Sequence, residues 1–167
     1  EVKEPQIEFS DFPTFYTENA RSSTEAIQDL TKIKTITSTN LSYNSDNTFA
    51  FDGTDDYITL NSSIDCYNKS FTIEAWIKRN ATGVNHGIIG DQQYNWFMFY
   101  VTSGNKLYCK FKYYNESSNV RTNESNGVTD IGTDWTHVAV TFENGVGQKL
   151  YVNGELDGSN SVPDAFE

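Results

Sequence analysis

Proline, cysteine and basic side chains are all scarce in this chain. Its 167 residues include 3 Pro, 2 Cys and 12 Lys or Arg, against 23 acidic residues. Two thiols are too few for a disulfide-built scaffold; Cys66 and Cys109 either form one disulfide or serve as small half-buried side chains. The net charge of −11 argues against nucleic acid and anionic lipid as partners, because both are bound largely through Lys and Arg. Cations and neutral ligands fit this charge better.

Long apolar runs are missing as well. No segment approaches the roughly 20 apolar residues that span a bilayer. The first residues do not have the charged and then apolar form of a signal peptide. We therefore expect no membrane insertion, and the length favours one domain with its own core.

The chain instead has large aromatic side chains in alternating segments. Aromatic residues make up 14% of the sequence, although hydrophobic residues make up only 37%. Between Phe71 and Lys78, alternation places four apolar side chains on one face and Trp76 on the other, and Ile58 and Leu60 likewise share one face. Such alternation is typical of antiparallel strands with one wet side.

Further segments predict strands and tight turns. The run Asn95 to Val101 is apolar on both faces, as expected for a central strand, and a turn over 103–105 leads into a strand at 106–113 with Leu107, Cys109, Phe111 and Tyr113 facing inward. Asn153-Gly154 between apolar flanks predicts a hairpin. Residues 79–95 and the polar segment 115–130 are predicted to be loops. Residues 1 to about 40 lack strong periodicity and are predicted to be an arm with one or two edge strands.

Five motifs in order resemble the laminin-G-like branch of the concanavalin A-like jelly rolls, including many found on bacteriophage structural proteins. They are Asp29-Leu30, Phe51-Asp-Gly-Thr-Asp-Asp-Tyr57, the strand Phe71 to Trp76, Trp135-Thr-His-Val-Ala139, and Leu150-Tyr-Val-Asn-Gly154. The resemblance implies an all-β fold, an antiparallel two-sheet jelly-roll sandwich over residues 41–167, with an irregular N-terminal arm over residues 1–40.

The family pattern usually closes with one more strand after the last hairpin, and residues 161–167 do not supply it. An uncovered sheet edge promotes unwanted pairing with other chains. We therefore expect the arm, a neighbouring subunit or further chain to complete this edge.

Members of this fold often carry calcium at the rim of the sandwich, and Asp52, Asp55 and Asp56 crowd one turn here. Carboxylates of this kind suit calcium, a hard cation that binds oxygen, with Asp91 as an additional ligand. The alternative is that Asp and Gly only stabilise the turn by local hydrogen bonds. For His86 and His137, ordinary packing or hydrogen bonding explains the residues better than a zinc site.

Aromatic and amide side chains near residue 95 form the predicted ligand site. Tyr94, Asn95 and Trp96, together with Tyr113, combine rings and hydrogen-bonding groups as carbohydrate sites do. The alternative for Trp96 is a core position at the start of the central strand.

Catalytic motifs are absent. The chain lacks the Glu-x-Asp-x-x-Glu strand of glucanases, a nucleophile elbow, a zinc-binding helix and a phosphate loop. We therefore expect no enzyme activity. The resemblance implies a non-catalytic surface-binding or structural module of a larger assembly, most specifically a phage virion decoration, fibre or capsid-associated protein. Its neighbours would be proteins bound through the arm and the C-terminal edge. The alternative is a secreted or cell-surface carbohydrate-binding adhesin domain, so the expected location is a virion surface or extracellular.

Overall fold

A computed structural model describes residues 35–43, 48–62, 69–90, 97–114 and 120–161. All regular secondary structure within these residues is β, which confirms the predicted fold class. The chain divides into two compact units, Glu1–Asp65 and Cys66–Glu167. Most of the predicted arm, including residues 1–34, lies outside the described residues, and so does residue 66. In the described part of the chain, no helix has the length and apolar composition needed to cross a membrane.

The described residues of the first unit form four short strands that pair as two antiparallel ribbons. The strands are β1 (Ile36–Thr39), β2 (Ser42–Tyr43), β3 (Phe49–Ala50) and β4 (Tyr57–Leu60), with β1 paired to β4 and β2 to β3. Ile58 and Leu60 share one face of β4, as alternation predicts, but that face is not buried, because the two side chains are 39% and 37% exposed. A two-stranded ribbon has no second sheet of its own to cover one face, and none lies among this unit's described residues.

Within the part of the second unit that the structure describes, two four-stranded antiparallel sheets form a sandwich, with strand orders β12-β11-β10-β5 and β6-β7-β8-β9. Their strands are β5 (Phe71–Ile77), β6 (His86–Gly90), β7 (Phe97–Val101), β8 (Leu107–Tyr114), β9 (Val120–Asn126), β10 (Thr136–Glu143), β11 (Gly147–Val152) and β12 (Glu155–Ser161). Apolar side chains from both sheets, together with Ile131 from the loop before β10, share one buried core. The sheet residues are Phe99, Val101, Leu107, Cys109, Val138, Val140, Leu150 and Val152. The predicted central strand, β7, does lie between two others.

Two strands lie where the sequence predicts loops. β6 falls inside the predicted loop 79–95, and β9 falls inside the predicted loop 115–130. β9 carries polar residues at its buried positions, Asn123 and Ser125, which are 3% and 2% exposed. Because the usual apolar alternation is missing, the strand has no hydrophobic signature. β6 contains two glycines and a register shift between Gly87 and Ile89, so it also lacks a regular apolar alternation in sequence.

The predicted turns are present. Asn153 and Gly154 both have positive φ, 51° and 84°, as the tight hairpin between β11 and β12 requires. At the turn between β7 and β8, the backbone N–H of Asn105 donates to the carbonyl of Thr102 at 2.9 Å. Both connections are short, so they fix the registers of the strands they join.

A β-bulge turns one carboxylate into the sandwich. The register of β11 and β12 shifts between Leu150 and Tyr151, and Asp157, within the shifted part of β12, is only 5% exposed. Its Oδ1 accepts the backbone N–H groups of Val128 at 3.2 Å and Thr129 at 2.8 Å. Through Asp157, β12 in one sheet thereby holds the segment that follows β9 in the other sheet.

Side chains also join the neighbouring edges of the two sheets. Asn160 on β12 donates from Nδ2 to the carbonyl of Glu124 on β9 at 2.8 Å, and Asn123 donates from Nδ2 to the carbonyl of Ser161 at 3.3 Å. Gly158 makes this close approach feasible, because a Cβ there would lie 2.3 Å from the carbonyl oxygen of Asn126. At this side of the sandwich, β9 and β12 are connected by hydrogen bonds from amide side chains and not by a ladder of backbone hydrogen bonds.

A buried arginine fixes the loops at the end of the sandwich. Arg79 is 5% exposed, and burial lowers its pKa from the ordinary value. Its Nε donates to the carbonyl of Gly132 at 3.1 Å, and its Nη2 donates to Asn105 Oδ1 at 3.1 Å and to the carbonyl of Ile131. One guanidinium therefore holds two segments that are distant in sequence, at residues 105 and 131–132, to the chain that follows β5.

Candidate functional site

The predicted acidic turn lies between β3 and β4 in the first unit. Carboxylate oxygens of Asp52, Asp55 and Asp56 lie within 4.8 Å of one another, so the structure brings the three residues together. Within the described residues they are the only group of three or more metal-ligating side chains. His86 and His137 belong to no such group.

Local hydrogen bonds already engage one oxygen of each carboxylate in this turn. Asp52 Oδ1 accepts the N–H of Thr54 at 2.7 Å, Asp56 Oδ2 accepts the N–H of Asp52 at 2.7 Å, and Asp55 Oδ2 accepts from Asn40 Nδ2 at 2.7 Å. The other oxygens suit a hard cation, but calcium takes roughly 6–8 oxygen ligands. Backbone carbonyls or water would have to supply the remainder. The calcium site stays a prediction.

Most of the predicted ligand residues lie outside the described part of the chain. Tyr94, Asn95 and Trp96 are among the residues that the structure does not describe, as is Asp91. Tyr113 belongs to β8, where its backbone is opposite Arg121, but its side chain is also not described. The ligand site at these residues stays a prediction.

A different aromatic residue is prominent on the outer face of the β5 sheet. Trp76 is 65% exposed, although it lies within a regular strand. Its ring lies beside that of His137, the residue opposite it on β10, with ring centroids 5.4 Å apart. His137 Nε2 lies 3.4 Å from Glu74 Oε2. We refer to Trp76, His137 and Glu74 as the Trp76 cluster.

The hairpin turn at 153–154 holds the Trp76 cluster in place. The backbone N–H of His137 donates to Asn153 Oδ1 at 3.0 Å, and the N–H of Asn153 donates to the carbonyl of His137 at 2.8 Å. Alternation in the sequence already places Trp76 on the outer face, so an exposed tryptophan is the signal that could have identified this surface.

The outer face of the other sheet carries a tyrosine pair. The rings of Tyr100 and Tyr108 lie 4.9 Å apart on adjacent strands. Burial raises the pKa of Tyr108, and a hydrogen bond to Glu124 raises it further. Glu124 also pairs with Lys110 at 3.4 Å. These polar groups satisfy one another, which is typical of a structural cross-strand network.

Comparison with known families identifies the sandwich. Residues 52–167 match the family described as the concanavalin A-like lectin/glucanases superfamily. The chain belongs to this superfamily. The match covers more than half of the chain and confirms the resemblance read from the motifs. No curated protein matches the chain.

The concanavalin A-like lectin/glucanases superfamily is named for both binding proteins and enzymes, so the residues must be compared with the glucanase pattern. The segment Glu155 to Asn160 has the first two acids of Glu-x-Asp-x-x-Glu, but Asn160 replaces the last Glu. Asp157, the middle acid, is buried and accepts two backbone N–H groups. Retaining glycoside hydrolysis needs two carboxyl groups about 5–5.5 Å apart as nucleophile and acid, and the amide of Asn160 cannot take the place of the second one.

Domains of this superfamily generally bind carbohydrates or act as structural modules, and their lectin-like members are generally non-catalytic. The Trp76 cluster is an exposed aromatic surface beside hydrogen-bonding groups, and the acidic turn is a cluster of carboxylates. The structure places them in different units. We therefore treat them as separate candidate sites.

Proposed function

We propose that this chain is a non-catalytic binding module on the exposed surface of a larger assembly, most specifically a phage virion decoration, fibre or capsid-associated protein. The observation that carries the proposal is the exposure of Trp76, 65%, on a regular sheet face. Exposed apolar surface rimmed by polar groups marks binding sites, and Trp76 lies beside the polar side chains of His137 and Glu74.

The filled interior of the sandwich supports binding through its outer faces. Phe99, Leu107 and Leu150 are completely buried between the sheets, with the remaining core residues packed around them. A ligand would have to displace this packing to enter, at a cost of several kcal/mol. Surface recognition requires no such change.

The family resemblance and the acidic charge support a place in an assembly. Protein neighbours are proposed to bind the N-terminal arm, residues 1–40, and the C-terminal edge. The net charge of −11 keeps such a module soluble and disfavours nucleic acid as a partner. A virion surface or an extracellular location follows from this role.

Immunolabelling of intact particles tests the proposal. An antibody raised against the full chain is expected to label the outside of purified virions from the source of this chain. Label found only in the particle-free fraction would contradict the assembly role. Incubation of β-glucans with the chain, monitored for new reducing ends, tests the absence of catalysis. Any new reducing ends that form only when the chain is present would contradict it.

A secreted or cell-surface carbohydrate-binding adhesin domain is the second candidate. The Trp76 cluster favours it, because an exposed ring beside a carboxylate and an imidazole suits a sugar's apolar face and its hydroxyl groups. A glycan array probed with the full chain, with and without a chelator, tests this candidate. Chelator-sensitive binding would implicate the acidic turn, and absence of binding to any glycan would exclude the lectin role.

A further inference from the structure

The Trp76 cluster lies within a broader surface that crosses the sheet. Strand register places Ala139 on the same outer face as His137, two residues further along β10, with Glu74 and Tyr151 opposite it on either side. Ala139 is 6% exposed despite facing outward, because larger neighbours surround its small side chain. Adjacent strands lie about 4.8 Å apart and residues along a strand about 3.3 Å apart. Trp76 and Tyr151 are two strands and two residues apart, so they stand roughly 12 Å from each other with Ala139 between their strands.

This surface offers an apolar ring, a low floor and hydrogen-bonding groups at one place. The indole of Trp76 supplies the ring, and Ala139 supplies the floor. The carboxylate of Glu74, whose side chain is 67% exposed, accepts hydrogen bonds, and the imidazole of His137 either donates or accepts. A pyranose ring has an apolar C–H face and a rim of hydroxyl groups that match this arrangement.

Local charge favours an uncharged ligand. Glu74 lies on the outer face of β5, and Glu143 lies on the outer face of β10. Two exposed lysines share this side of the sheet: Lys78 is two residues after Trp76, and Lys149 lies opposite Thr141. The two charge signs balance across this face, so neither a strongly cationic nor a strongly anionic ligand finds complementary charge there. A second copy of the chain is disfavoured, because each copy carries a net charge of −11.

We propose that the Trp76 cluster binds a neutral saccharide by stacking a pyranose ring on Trp76, with Glu74 and His137 as hydrogen-bonding partners and without calcium. The inference rests on the proposed binding function, and it assigns a site distinct from Tyr94, Asn95 and Trp96 and from the acidic turn. Tyr151 offers a further aromatic ring across the sheet, on which another unit of an oligosaccharide would pack.

Calorimetric titration of the full chain tests the proposal. The probes are neutral hexasaccharides of glucose, mannose and galactose, with hexagalacturonate as the anionic counterpart and a chelator present throughout. At least one neutral probe is expected to bind. Trp76→Ala is expected to weaken it about tenfold or more, as for loss of a central aromatic contact, and Trp76→Phe to weaken it less.

The matched control is Tyr100→Ala, which removes an aromatic side chain from the outer face of the other sheet and is expected to leave the affinity unchanged. Circular dichroism confirms that each variant is folded; Trp76→Phe retains a ring opposite His137, so it tests stacking even if the alanine variant is unstable. Neutral-probe binding that is equal in wild type and both Trp76 variants would overturn the site. Binding of hexagalacturonate alone, or of no probe, would overturn the ligand class.

Two further outcomes would contradict the inference. Binding that requires calcium would move recognition to the acidic turn. A concentration-dependent dimer that is lost in Trp76→Ala, observed by sedimentation, would show that a second copy covers this face. Failure on any of these grounds leaves the particle-labelling result unaffected, so the assembly role and the saccharide site are separable.

Discussion

The substitution Gly127→Ala tests how the bulge in β12 holds the two sheets together. A Cβ at position 127 would lie 2.0 Å from Asp157 Oδ2 and 3.3 Å from the Cβ of Leu107. The first distance is far too short, so the carboxylate of Asp157 has to move. Its Oδ1 would then release the N–H groups of Val128 and Thr129, which it accepts at 3.2 and 2.8 Å.

The expected cost follows from these two bonds. Hydrogen bonds to a charged group contribute about 1.5–3 kcal/mol each. Since some of this is recovered when the loop relaxes, we expect Gly127→Ala to lower the free energy of unfolding by about 3 kcal/mol. For a domain of this size, that corresponds to a fall in melting temperature of roughly 10 °C.

Urea and thermal unfolding followed by near-ultraviolet circular dichroism measure this change. The control is Gly132→Ala, because a Cβ at position 132 meets no atom within 4 Å. A second test combines Gly127→Ala with Asp157→Ala, which removes the clashing carboxylate. The reasoning is refuted if Gly127→Ala costs as much in the Asp157→Ala background as in the wild type, because the clash with that carboxylate would then not be the cause.

Three other predictions concern the core, the loops and the acidic turn. Burial raises the pKa of Cys109 from 9.0 to about 12. As the pH rises, the thiol therefore ionises in the unfolded chain before it does so in the folded one. The free energy of unfolding, measured relative to Cys109→Ala, is expected to hold below pH 9 and to fall by up to about 4 kcal/mol as the pH rises toward 12. Parallel plots of unfolding free energy against pH for the two proteins would contradict this. Arg79→Met should lower stability by about 3 kcal/mol in urea unfolding, and Arg79→Lys should not restore it, because one ammonium cannot reproduce the guanidinium fork; full stability of the lysine variant would disprove that role. Added calcium is expected to raise the melting temperature of the wild type but not of Asp55→Asn, and an unchanged wild-type value would leave the acidic turn with a purely structural role.

Strands with an ordinary hydrophobic pattern were predictable from the sequence. The face of β5 that carries Phe71 and Ile73 packs against the core as alternation implies, and the Asn153-Gly154 turn has the required positive φ. β9 was not predictable in this way, because Asn123 and Ser125 occupy its buried positions, and Asn123 donates to the carbonyl of Ser161 on β12. Its burial depends on contacts with β12, which no local pattern contains.

The candidate surface was predictable only in part. Alternation places Trp76 outward, but its neighbours His137 and Glu74 come together through the pairing of β5 with β10, which lie about sixty residues apart in sequence. Local composition drew attention instead to Tyr94 and Trp96, because amides and aromatics are adjacent there in the chain. The acidic turn was found readily, since its three carboxylates are neighbours in sequence as well as in space.

The carboxylate of Asp157 also has a consequence for the order in which the sandwich forms. It holds Val128 and Thr129, which were synthesised about thirty residues earlier. While the chain is still emerging from a ribosome, β6 to β9 can pair locally, but the segment after β9 has no acceptor for these N–H groups until β12 appears. The segment after β9 can therefore take its final position only when Asp157 is present. We expect the two sheets to dock in a single late step rather than gradually.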